Sequence, residues 1–246
     1  NYPMVQETLV DMITEIEAGW AFMAQVVQAF DRVHTYGEGT PADYARLRIL
    51  LSLGKYRLSE LGVSAAKRAL ELHGGNGYIE EYVTPRLLRD AIVNPVWEGT
   101  ANIQALEVLK VMHKGGAPAV RNALQETLQR IDHPAVKELR EVLQAEDVRA
   151  EELTTHVLSQ DERTQTALIK KLCDYLYDLH AAVHLLEEAQ YDLNTTGDER
   201  RLLAAERWIK LHLQPDPHRG LLGQGAIPED IVDCLVRFAE RKTCTP

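Results

Sequence analysis

The chain has 246 residues, 45% of them apolar, with 27 basic and 37 acidic side chains and a formal net charge of −10. That length and apolar share suffice for one large core or two modest ones and exclude a disordered chain. The negative field disfavours nonspecific nucleic-acid binding, and no stretch approaches the roughly 20 apolar residues that span a bilayer, so neither nucleic acid nor membrane is expected as a partner. Cys173, Cys234 and Cys244 form no CxxC pair and leave one over, which reads as reduced thiols in a cytoplasmic setting.

The chain opens on Asn1, and a helical pattern begins almost at once, so the sequence reads as an excised or processed piece. From Val5 to Val33, Leu9, Met12, Ile13, Ile16, Trp20, Met23, Val26, Val27 and Phe30 recur at helical spacing and predict one buried face. Gly37, Gly39 and Pro41 make a turn before a second helix over about 42–72, with Leu47, Leu50, Leu51, Leu58, Leu61, Ala65 and Ala69 as its stripe and Gly62 for close approach. His73-Gly74-Gly75-Asn76-Gly77-Tyr78 ends that helix. A short helix is predicted over 86–92 and another over 100–112. Gly115 and Gly116 mark a border, beyond which helices are predicted near 117–131, 134–158, 163–192, 198–213 and 228–241, with a surface loop over 213–228. No strand-like alternation occurs, so the fold class is all-α, with a first helical domain over 1–114 and a second over 117–246.

The informative window is 69–110, where GGNGY, a proline, RLLRDA, WEGT and NIQ follow one another. In that order, and in register over about 5–112, the sequence resembles the C-terminal helical domain of acyl-CoA dehydrogenases. The resemblance implies a helical bundle lacking its first helix and upstream domains, followed by an accessory helical extension. It also implies α,β-dehydrogenation of an acyl-CoA thioester, with FAD accepting hydride and an electron-transferring flavoprotein and a homo-oligomer as partners.

In members with a Tyr-Glu-Gly-Thr turn the glutamate is the general base, and Glu98 matches it, with Trp97 in place of the tyrosine. The resemblance places Gly74, Gly75, Thr100 and Asn102 toward FAD and Trp97, Gly99 and Tyr78 toward substrate. Tyr78 either lines the acyl-CoA entrance or staples the glycine turn to the core. Glu71 stands where a flavin-contacting glutamine is common, which leaves that contact without support. The chemistry suits these residue types: a carboxylate shielded from water is a stronger base for a weakly acidic α-proton, and main-chain N–H groups stabilise the thioester oxygen. An isolated Glu-Gly-Thr is more often a solvated helix cap, and the surrounding register tips the reading to catalysis. Arg89 and Asp90 read as a structural pair.

His180 and His184 stand four apart on a helix near acids, a spacing that occurs mostly on ordinary polar faces, and no metal is expected. Two other uses of the extension are compatible with the sequence. One is oligomerisation. The other is the DNA association of alkylation-response members of the superfamily, against which residues 116–246 hold 23 acids and 16 bases, with small basic groups only at Arg200-Arg201 and over 237–242. A fragment with half a flavin site is expected neither to retain FAD nor to turn over substrate.

Overall fold

The computed structural model describes residues 2–218 and 225–239, and among them it contains nine α-helices and no strand. α1 (Pro3–Phe30) runs into one wider π-helical turn, Asp31–Thr35. α2 (Pro41–Leu72) begins with a capping box, in which the Thr40 hydroxyl accepts from the Asp43 N–H at 3.2 Å and the Asp43 carboxylate accepts from the Thr40 N–H at 2.9 Å. Pro41 occupies the first helical position, where its missing N–H costs nothing. α3 (Thr84–Val93) and α4 (Ala101–His113) follow, then α5 (Ala117–Arg130), α6 (Lys137–Leu158) and α7 (Glu162–Thr195). α8 (Arg200–Trp208) continues into a second π-helical turn, Ile209–Leu213, and α9 (Glu229–Arg237) closes the described chain. The predicted last helix, 228–241, and the predicted loop, 213–228, extend in part outside the described residues.

The helices form two compact units. One comprises Met23–Ala123 with Val148–Tyr177, and the other the described residues within 1–22, 124–147 and 178–246. Residues of α1, α5, α6 and α7 contribute to both. The border predicted at Gly115–Gly116 lies inside the first unit, because the end of α6 and the first half of α7 are grouped there with α2, α3 and α4.

In that unit α2 packs mainly on α3 and α4. Leu47, Ile49, Leu50, Leu53 and Tyr56 of α2 and Ala105, Val108, Leu109 and Met112 of α4 are buried. The other unit buries Val10 and Phe22 of α1, Leu179, Leu185 and Leu186 of α7, and Trp208 and Ile209 near the end of α8. Cys173 and Cys234 are buried, and burial pushes the Cys173 thiol up to about 12, which suits a packing group. Cys244 lies outside the described residues.

Burial corrects the predicted helix faces. In α1 the buried stripe is Val10, Thr14, Ala18, Ala21, Phe22, Gln25, Val26 and Ala29, while Trp20, Met23, Val27 and Phe30 are exposed. The small residues permit close helix contact, leaving the larger apolar side chains on another face. In α2, Leu51 is exposed, Leu58, Leu61, Ala65 and Ala69 are only half-buried, and nothing lies within 4 Å of a side chain built at Gly62.

No described helix is long and apolar enough to cross a membrane, and the described residues hold no cluster of three or more metal-ligating side chains. His180 and His184 are instead buried in the second unit, where His180 meets Phe22 edge-on and the His184 Nδ1 lies 3.4 Å from the Glu187 carboxylate.

Candidate active site

The α2–α3 connection starts with a single 3₁₀ turn, Gly74–Gly77. Gly77 is the glycine its own chain requires there, because a side chain at that position would run into the Leu70 carbonyl. Gly74 and Gly75 are exposed, with no atom within 4 Å of a Cβ built on either. Their backbone is therefore open to another molecule. The Thr84 hydroxyl donates to the Gly77 carbonyl at 3.1 Å, tying the start of α3 to this turn.

Tyr78 is 81% exposed, so within this chain it does not staple the turn to a core. Arg89 pairs in bidentate fashion with Glu80, at 2.6 and 2.9 Å, which replaces the Arg89–Asp90 pair read from the sequence. That hydrogen-bonded guanidinium holds the Glu80 carboxyl below its ordinary range. Glu71 accepts from Lys67 at 2.8 Å one helical turn back.

The α3–α4 turn carries Glu98. Pro95 cannot supply an N–H to continue α3, and the chain tightens through bonds from the Val96 and Trp97 N–H groups to the Val93 carbonyl, at 3.0 and 3.2 Å. Glu98 then adopts a left-handed backbone, φ 55°, and Gly99 follows at φ 101°. A side chain on Gly99 would also press on the Gln104 amide at 2.9 Å. Thr100 caps α4 with extended backbone, but its hydroxyl makes no capping bond.

The carbonyls of this turn are taken up by two side chains that sequence reasoning did not single out for the site. The Lys55 ammonium, half-buried on α2, donates to the carbonyls of both Asn94 and Gly99 at 2.8 Å. The Gln104 amide donates to the Glu98 carbonyl at 3.0 Å. Gln104 is the last residue of the NIQ signature, so a local signal existed. Lys55 stands 44 positions before Gly99 on another helix, and nothing in the local pattern marks it.

By contrast, neither the Glu98 carboxylate nor the Glu98 main-chain N–H has a hydrogen-bond or ion-pair partner among the described residues. Glu98 is exposed, and so are Trp97, Thr100 and Asn102, while Gly99 is half-buried. Around them, Val96 is 64% exposed and Ile103 56%, and Tyr82, Val83, Leu87, Ile92, Val93 and Leu106 are also open to solvent. Large apolar side chains are thus repeatedly exposed between positions 82 and 106.

A left-handed conformation costs a residue with a Cβ about 1–2 kcal/mol, whereas glycine forfeits about 0.5–1 kcal/mol of chain entropy instead. Glu98→Gly is therefore expected to raise the stability of the chain by about 0.5–1 kcal/mol, while the neighbouring Gly99→Ala lowers it by at least about 1 kcal/mol. Denaturant midpoints of the two variants check this; a stability loss in Glu98→Gly would show that its side chain contributes to folding.

A family model for the acyl-CoA dehydrogenase C-terminal domain matches residues 1–113, and this part of the chain belongs to that family. Among individual relatives, the putative acyl-CoA dehydrogenase AidB of Escherichia coli is 28% identical over 204 residues, covering 78% of this chain and 36% of AidB. Acyl-CoA dehydrogenase family member 11 of Caenorhabditis elegans is 29% identical over 111 residues, 45% of this chain and 18% of the relative.

Two solved structures share the fold. Caenorhabditis elegans ACDH-11 in complex with C11-CoA gives a TM-score of 0.76 at 19% identity, over 89% of this chain and 38% of that one. An acyl-CoA dehydrogenase complexed with FAD from Bacillus anthracis gives 0.71 at 22% identity, over 86% and 40%. The chain thus spans well under half the length of these proteins. The AidB match and both structural matches are longer than the 113 residues of the family model, so part of the extension is shared as well.

Proposed function

We propose that this chain is the C-terminal part of a flavin-dependent acyl-CoA dehydrogenase in which Glu98 removes the α-proton of the acyl-CoA thioester. The observation that carries the reading is the division of labour in the α3–α4 turn: its carbonyls at 94, 98 and 99 are occupied by Lys55 and Gln104, while the carboxylate and N–H of Glu98 remain without partners. Such a turn offers a base and a hydrogen-bond donor side by side. The base takes the proton from the α-carbon as the donor meets charge growing on the thioester oxygen. A left-handed, non-glycine residue at a solvent-facing turn is a strained feature of the kind that accompanies function.

The exposed residues fit one side of a flavin site. The open backbone at Gly74 and Gly75, the Thr100 hydroxyl free of capping duty, Asn102, and the positive end of α4 are suited to hold FAD, with a pyrophosphate at the helix start. When bound, FAD supplies the acceptor for the hydride leaving the β-carbon. Trp97 and Gly99 flank the thioester, Tyr78 lies toward the acyl-CoA entrance, and the exposed apolar side chains are covered by upstream domains or a second subunit, which keeps water from the reacting atoms. Electrons leave to an electron-transferring flavoprotein.

The extension supports packing rather than nucleic-acid contact. Arg200 pairs with Glu17, Arg201 with Asp192 and Glu188, and Arg237 with Glu229 and Asp233, so each of these cations is already matched by carboxylates. Residues 240–242 of the second basic group lie outside the described residues.

Purification of the full-length protein with FAD bound at one per subunit, and reduction of an artificial electron acceptor by at least one acyl-CoA in a panel of chain lengths, is the expected result. The 246-residue chain alone should purify colourless. A full-length protein that binds no flavin and oxidises no acyl-CoA would overturn the reading.

A further inference from the structure

Lys55 has an unusual set of partners for a half-buried ammonium. It donates to two main-chain carbonyls, Asn94 and Gly99, at 2.8 Å each, and no carboxylate among the described residues pairs with it. Those carbonyls lie at the two ends of the turn that carries Glu98. A lysine with a carboxylate would neutralise itself; this one spends two of its three N–H donors on fixing the separation of two points of backbone.

The turn needs such a tie. Three main-chain bonds, from Asn94 to Ala91 and from Val96 and Trp97 to Val93, hold its first half, and the second half contains consecutive residues with positive φ, Glu98 and Gly99. Without the ammonium, the Asn94 and Gly99 carbonyls would turn toward water, and Glu98 would relax from its left-handed conformation into commoner regions of backbone space.

The frame on which Lys55 stands is itself fixed. At the next two positions of α2, the buried Tyr56 donates its hydroxyl to Asp174 of α7, and Arg57 reaches the same carboxylate at 3.1 Å. α2 is thereby anchored between the catalytic turn on one side and α7 on another, within a single compact unit.

We infer that Lys55 is the positioning residue for the catalytic turn: its ammonium clamps the Asn94 and Gly99 carbonyls and so holds the Glu98 carboxylate and N–H in register with the reacting thioester. This rests on the reading of Glu98 as the base. Its unneutralised charge, close to the turn, also favours the negative charge that develops on the thioester oxygen.

The test uses the full-length protein carrying Lys55→Met, which keeps the aliphatic stem, and Lys55→Arg, which keeps the charge and can still donate to two carbonyls. Lys55→Met is expected to lower kcat by about tenfold to a hundredfold with KM for acyl-CoA changed less than about threefold, because a displaced base loses orientation more than binding. Amide hydrogen exchange at Val96 and Trp97 should quicken by about tenfold in the same variant. Lys55→Arg should recover most of both.

If Lys55→Met does not fold, Lys55→Gln and Lys55→Arg are compared in its place, with the expected order wild type, Arg, Gln for both readouts. An unchanged kcat, or unchanged exchange at Val96 and Trp97, overturns the clamp. Failure of the Glu98 reading is recognised separately: Glu98→Gln would then leave activity intact, while the exchange measurement still judges whether Lys55 holds the turn.

Discussion

Glu98→Gln in the full-length protein is expected to lower the rate of acyl-CoA oxidation by about a hundredfold or more while leaving flavin binding and thermal stability nearly unchanged. The substitution preserves shape, the left-handed backbone and the main-chain N–H, and removes only the capacity to accept a proton. Because the side chain has no partner among the described residues, no contact within this chain is lost with it. A carboxamide cannot serve as a base at neutral pH, so the fall should appear in kcat, with acyl-CoA binding retained. Stopped-flow measurement of flavin bleaching isolates the step. A rate within about threefold of wild type would place the base elsewhere and reduce Glu98 to a strained helix lead-in.

The second large effect concerns the junction between the family domain and the helices that follow it. Asp174→Ala should destabilise the chain by about 2–3 kcal/mol, a fall in melting temperature of roughly 5–10 °C for a chain of this size. The Tyr56 hydroxyl donates to this carboxylate, Arg57 reaches it at 3.1 Å, and the Arg57 guanidinium lies over the Tyr177 ring with 5.0 Å to its centroid. Truncating Asp174 leaves a buried hydroxyl without its acceptor, which is more costly than never having had the pair. Tyr56→Phe in the Asp174→Ala background should therefore restore part of the loss, and a double-mutant cycle measures the coupling. Additive effects of the two substitutions would contradict the assigned bond.

The same bond has a pH signature. Burial, then the hydrogen bond to Asp174, pushes the Tyr56 phenol above its ordinary value, so the folded state holds this proton more tightly than the unfolded chain does. The stability this carries is complete below the unfolded phenol's value of about 10 and declines as the pH climbs beyond it. Alkaline unfolding should begin at higher pH in Tyr56→Phe once its lower baseline stability is taken into account.

The Tyr56–Asp174 link bears on the extension's place in the molecule. Residues 148–177 belong with residues 23–123, and they bring an acid to the helix whose Lys55 clamps the Glu98 turn. A chain cut at Gly116 would take that anchor away.

Much of this was readable in one dimension. Helical periodicity and Gly and Pro at the breaks placed seven of the nine described helices to within about three residues, because those signals depend on neighbours only a turn away. The GGNGY, WEGT and NIQ order likewise located the candidate site, and the turn at Glu98 follows from Pro95 and Gly99 acting on adjacent backbone. Which apolar face of α1 is inside was not readable. Trp20, Met23, Val27 and Phe30 satisfy the helical period as well as Ala18, Ala21, Phe22 and Ala29 do, and only packing against other helices chose between them.

The sequence by itself determined what the helices are and which carboxylate stands at the turn, since both are written in short-range patterns of shape and backbone freedom. Only the tertiary structure decided that Lys55 ties down that turn, that Arg89 joins Glu80, and that Asp174 reaches Tyr56 across 118 positions of chain. A hydrogen bond between distant residues depends on where whole helices come to rest, and that follows from the shape of the packed core rather than from the identity of the two partners.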